Sequence, residues 1–89
     1  MIVRILTEDQ YRLDDAHLPT IARLDNEMEE AASKGDEAQF SALLHQLIMF
    51  IREQGKVVPH EELVTSQMLI PPADMRMEEA KKYFEENER

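Results

Sequence analysis

A chain of 89 residues makes one domain with a thin core, since it buries only roughly 60–65% of the surface that its unfolded form exposes. Nineteen acidic residues against ten basic ones give a formal net charge of -9, which disfavours both phosphate backbones and anionic membrane surfaces. The chain has no Cys, so disulfides, thiolate metal sites and cysteine nucleophiles are excluded.

Ile2-Val3-Arg4-Ile5-Leu6 is rich in β-branched residues and predicts a strand. Thr7-Glu8-Asp9 is turn-like. Gln10-Tyr11-Arg12-Leu13 alternates, with Tyr11 and Leu13 on one face. The two strands predict a hairpin, which is barely stable alone in water and must lean on something. Asp14-Asp15 then offers a cap for a helix beginning near Ala16, because carboxylates accept bonds from the free N–H groups of a first turn. Pro19 falls in that first turn, where a missing N–H costs little. Ile21, Leu24, Met28 and Ala31 draw one apolar stripe, with Asp25, Asn26, Glu29 and Glu30 on the other face.

Gly35 ends this helix after Lys34, and Asp36 caps the next. Phe40, Leu43, Leu44, Leu47, Ile48 and Ile51 make the strongest periodic stripe in the chain, and it stops at Gln54-Gly55. Facing stripes joined by so tight a corner predict an antiparallel αα-hairpin. Lys56-Val57-Val58-Pro59 and Met68-Leu69-Ile70-Pro71 are short extended segments bounded by proline, with an irregular stretch at His60 to Val64 between them. A last helix is expected over Met77 to Glu86, with Ala80, Tyr83 and Phe84 inward. The predicted class is α+β: an N-terminal β-hairpin and short extra strands with an αα-hairpin and a C-terminal helix.

Little in the sequence supports catalysis. His17, His45 and His60 are not at metal-binding helical spacing, so each reads as a structural or surface histidine, and no metal or other cofactor is expected. Adjacent acid pairs such as Glu29-Glu30 and Glu61-Glu62 are expected by chance in so acidic a chain. Neighbours along a helix do not face each other, whereas a general acid needs burial or a close like charge, so these pairs do not read as catalytic. The two glycines end helices and build no phosphate loop. Arg76, Lys81 and Lys82 are diluted by Glu78, Glu79, Glu85 and Glu86, and form no basic patch for nucleic acid. No apolar run is long enough for a membrane span, and the N-terminus does not read as a signal peptide, so a cytoplasmic location without direct membrane insertion is expected. Self-association stays open.

The Met residues weigh differently. Met28 and Met49 lie on helices as ordinary filler, whereas Met68, Met75 and Met77 surround the prolines, with Tyr83 and Phe84 after them. Adaptable Met beside aromatics suits a protein-binding patch, here Met68, Ile70, Met75, Met77, Tyr83 and Phe84. The alternative is that this cluster folds back over the helical hairpin and closes the core.

Taken together, several stretches resemble the PspA-associated family, PspAA, found beside phage-shock-protein-A homologues. They are Met1-Ile2-Val3-Arg4-Ile5-Leu6, then Gln10-Tyr11-Arg12-Leu13-Asp14-Asp15, the corner Gly35-Asp36, and Glu62-Leu63-Val64 with Ser66. Ile70-Pro71-Pro72-Ala73-Asp74 and Glu78-Glu79 complete the likeness, which spans nearly the whole chain. The resemblance departs at Thr7 and Asp9, where the family favours Gly, and at Arg76, where it often has Thr. It implies an accessory role in an envelope-stress response, beside a PspA-like coiled-coil protein that binds membranes and would recruit this chain to their inner face. It implies no enzyme activity and brings no catalytic residue. A generic helical-hairpin adaptor with an unrelated protein client is the other reading of the same helices.

The charge balance generates a first prediction: a gel-shift assay at physiological salt shows no retarded DNA or RNA band. A micromolar complex with steep salt dependence would refute it.

Overall fold

The computed structural model describes residues 1–6, 8–62, 64–76 and 79. Strand β1 (Ile2–Ile5) pairs antiparallel with β2 (Gln10–Arg12), opposing Val3 to Tyr11. β-Branched side chains suit this pleated, half-buried surface. After β2, Asp14 accepts a bond from the Ala16 N–H at 2.9 Å and opens one 3-10 turn, Asp15–His17. Helix α1 therefore begins at Leu18, slightly later than the pattern suggested, and runs to Lys34 with Pro19 in its first turn.

The corner between the helices is built by two residues. Gly35 sits at φ 74°, a left-handed conformation that only glycine adopts without strain. Its N–H reaches Ala32 O at 3.2 Å, and the Asp36 N–H reaches Ala31 O at 2.9 Å, which satisfies the last carbonyls of α1. The same Asp36 caps α2 (Glu37–Gln54) by accepting from the Gln39 N–H at 3.1 Å. The chain thus reverses with no intervening loop, and the two stripes face each other.

Two further strands complete the sheet. β3 (Lys56–Val57) pairs antiparallel with β2, and β4 (Met68–Ile70) pairs parallel with β1, giving the order β3-β2-β1-β4. Both helices lie on one face of this sheet. Val3, Ile5, Tyr11, Leu13 and Ile70 join Ile21, Leu24 and Met28 of α1 and the stripe of α2 in one buried cluster. The expected α+β class is therefore observed, with hairpin, αα-hairpin and later strands in place. The parallel union of β4 with β1 was not anticipated. The helix expected over Met77 to Glu86 lies, apart from Glu79, outside the described residues.

At Gly55 the end of α2 runs close against β2 and the residue after it. A Cβ there would lie 2.7 Å from Ile51 O, 3.1 Å from the Tyr11 Cβ and 3.3 Å from the Leu13 Cγ. Substitutions here and on the central stripe should be costly. Leu44 and Leu47 are fully buried, so truncating either to Ala should lower urea-derived stability by about 2–5 kcal/mol. Gly55→Ala should cost about 1–3 kcal/mol through overpacking against backbone. A loss below about 0.5 kcal/mol for both leucine variants would contradict this packing.

Candidate functional site

Alternation along the strands sorts their side chains. Val3, Ile5, Tyr11, Met68 and Ile70 point to the helices; Arg4, Gln10, Arg12, Lys56 and Leu69 point to the opposite, outer face. β3 and β4 occupy opposite edges of the sheet, so the segment that joins them must cross its full width. It crosses the outer face as an irregular strap from Val58 to Gln67. The Val58 N–H donates to Gln10 O at 2.9 Å at one end, and the Gln67 N–H donates to Ile2 O at 2.9 Å at the other. Between them, the Gln10 side-chain amide donates to Val64 O at 3.2 Å and to Ser66 Oγ at 2.7 Å. Ile2 and Val58, on the face away from the helices, are buried.

Ion pairs bind the layers together at the β1–β2 turn. Glu8 pairs with Arg52 of α2, and this hydrogen bond raises the guanidinium's pKa, holding it protonated. The next residue, Asp9, accepts from His60 Nε2 of the strap at 3.0 Å. Arg12 of β2 pairs with Glu62 of the strap. These exposed pairs fix geometry more than they add stability. A cleft of about 620 Å³ opens between sheet and strap, bounded by Arg4, Gln10, Val58, His60, Glu62 and Val64, with the Glu8-Asp9 turn at one side.

The other histidines also have local partners. His17 stands edge-on to Phe50, with ring centroids 5.4 Å apart, and His45 Nδ1 bonds to Ser41 O at 2.8 Å. Among the described residues, no three His, Cys, Asp or Glu side chains converge as a metal site.

The residues expected to form a protein-binding patch are placed differently from one another. Met68 and Met75 are half-buried and pack against the core cluster, and Ile70, at 1% exposure, is part of it. Ile70 is therefore corrected from a contact residue to a core residue: its register opposite Ile5 turns it towards the helices. Met75 lies beside the first turn of α2, near Glu37, Phe40 and Ser41. Met77, Tyr83 and Phe84 lie outside the described residues. Leu69, at 44% exposure, is the residue of this segment that faces outward, and strand alternation would have found it once β4 was paired with β1. Leu18, Met49 and Val57 are likewise exposed.

A family model described as PspA-Associated protein matches residues 1–88 of the chain. No curated protein and no solved structure gives a significant match.

Asp25 on α1 is half-buried, not solvated as its place opposite the stripe suggested. Burial raises its pKa above the ordinary carboxylate value. The folded chain therefore binds this proton more tightly than the unfolded chain. The charged form costs stability at neutral pH, and that cost disappears as pH falls below the unfolded value of about 3.9. Asp25→Asn should then raise the thermal midpoint at neutral pH, with the gain shrinking as melts are repeated down to about pH 3.5. A lower midpoint than wild type at neutral pH would show that the carboxylate is favourably held.

Proposed function

The chain belongs to the PspA-associated protein family, and from that premise we propose that it is a non-enzymatic accessory of a PspA-type envelope-stress response, acting by direct contact with a PspA-like coiled-coil protein. The family match over residues 1–88 carries this reading. The charge arrangement supports contact over catalysis. In the cleft between sheet and strap, Glu8, Asp9 and Glu62 are engaged by Arg52, His60 and Arg12 respectively, which is a structural use of carboxylates. General acid–base work needs a carboxyl group free to take up or release its proton at the reacting atom.

No described helix is long and apolar enough to cross a membrane, so a role at the inner membrane face would come through the partner. The contact surface we favour is the segment after the αα-hairpin. Leu69 is its exposed apolar point on the outer face, Met68 and Met75 lie half-buried towards the helices, and Met77, Tyr83 and Phe84 follow in sequence. A flexible thioether adapts to an irregular helical surface, which is why Met recurs in such contacts. The acidic residues Glu78, Glu79, Glu85 and Glu86 would steer a basic partner and speed its encounter.

Titration calorimetry with a PspA-like coiled-coil protein from the same organism tests the reading. Wild type should bind saturably, and Leu69→Ser, with its fold checked by circular dichroism, should bind about 10-fold more weakly. Absence of binding by wild type would sink direct partnership. Unchanged affinity in the variant would move the contact elsewhere, with the acidic side of α1 at Glu29 and Glu30 the next surface to test.

A further inference from the structure

We propose that the cleft between the outer sheet face and its strap is a binding site for a peptide carboxylate, with Arg4 as its anchor. The inference stands on the charge arrangement within the cleft and does not depend on the family reading. Of the acidic groups that bound it, Glu8 and Glu62 are ion-paired with Arg52 and Arg12, and Asp9 is hydrogen-bonded to His60. His60 is itself the partner of Asp9. Arg4 is exposed and has no ion pair among the described residues. Its cross-strand neighbours on this face are Gln10 on β2 and Leu69 on β4, neither of which carries a charge. Among the described residues, the guanidinium that lines the cleft is thus without an ion pair, in a chain whose net charge is -9.

A guanidinium presents a planar fork of donors that fits the two oxygens of a carboxylate. A single carboxylate charge balances the single guanidinium charge, which a doubly charged phosphate would exceed. The walls select further. Val64, half-buried at the rim of the cleft, offers apolar surface to an aliphatic stem. A short peptide carrying Asp, Glu or a free C-terminus matches both the charge and the walls.

The test uses the full chain labelled with 15N and the peptide acetyl-Ala-Ala-Glu-Ala-Ala-amide. We expect saturable NMR shifts at the Arg4 side-chain Nε–H and at the Gln10, His60 and Val64 amides. The same peptide with Gln in place of Glu should bind about 10-fold more weakly, because it lacks the charge that the fork recognises. Arg4→Gln, exposed and outside the core, should lose binding about 10-fold with an otherwise native spectrum, whereas Arg23→Gln on α1 should bind as wild type. An uncharged-side-chain peptide with a free C-terminus separates a terminal carboxylate from a side-chain one, and binding of either supports the site. No saturation by any carboxylate peptide, equal binding of the Gln peptide, or undiminished binding by Arg4→Gln would overturn the proposal. None of these results touches calorimetry with the PspA-like protein.

Discussion

A short β-hairpin has one apolar face and cannot hide it by itself. Here that face consists of Val3, Ile5, Tyr11 and Leu13, and the αα-hairpin buries it. Burying a side chain of this size stabilises the fold by roughly 1.5–3 kcal/mol, so this layer contact outweighs the exposed ion pairs. The rest of the architecture follows from it. With both helices on one side, the sheet's other face is left to whatever else the chain can supply. The strands that widen the sheet add at opposite edges, so their connection is forced over that other face. The strap and its cleft are consequences of strand order.

The local elements were legible because each rests on short-range chemistry. The corner Gly35-Asp36 announces itself: one residue permits a positive φ and the next has an oxygen for the following helix. The stripes of α1 and α2 are visible as spacings of three and four, and the observed buried residues match them closely, with Ala32 as an addition. The start of α1 was displaced because Asp14 caps a 3-10 turn before the α-helix proper, and an Asp before a helix does not specify which kind of turn it opens.

The candidate site was much less legible. Its defining contacts join residues far apart in the chain: Gln10 with Ser66, Arg12 with Glu62, Asp9 with His60. No periodicity encodes such pairs. The misplacement of Ile70 has the same origin. Composition marked Met68 to Ile70 as apolar, but only register decides which residues face the core, and a one-residue difference reverses the answer. Register here comes from parallel pairing with β1, across most of the chain. The segment's apolar character was legible, and the inward place of Ile70 was not.

The β1–β2 turn gives the site its mechanical logic. Glu8 is tied to α2 and its neighbour Asp9 to the strap, so consecutive residues join the layer on one side of the sheet to the layer on the other. Gln10 continues the series by holding Val64 and Ser66. A displacement of the strap would thus pull on the turn at Asp9 and on β2 at Gln10 and Arg12, without touching the apolar cluster beneath. The core sets the fold, and displacing the strap costs its surface bonds and the burial of Ile2 and Val58. An acidic chain uses its carboxylates here as internal fasteners for Arg12 and Arg52, while Arg4 has no ion pair among the described residues. The separation of a rigid apolar layer from a polar, laterally open one gives a small domain a place to recognise a ligand without spending its thin core on the task.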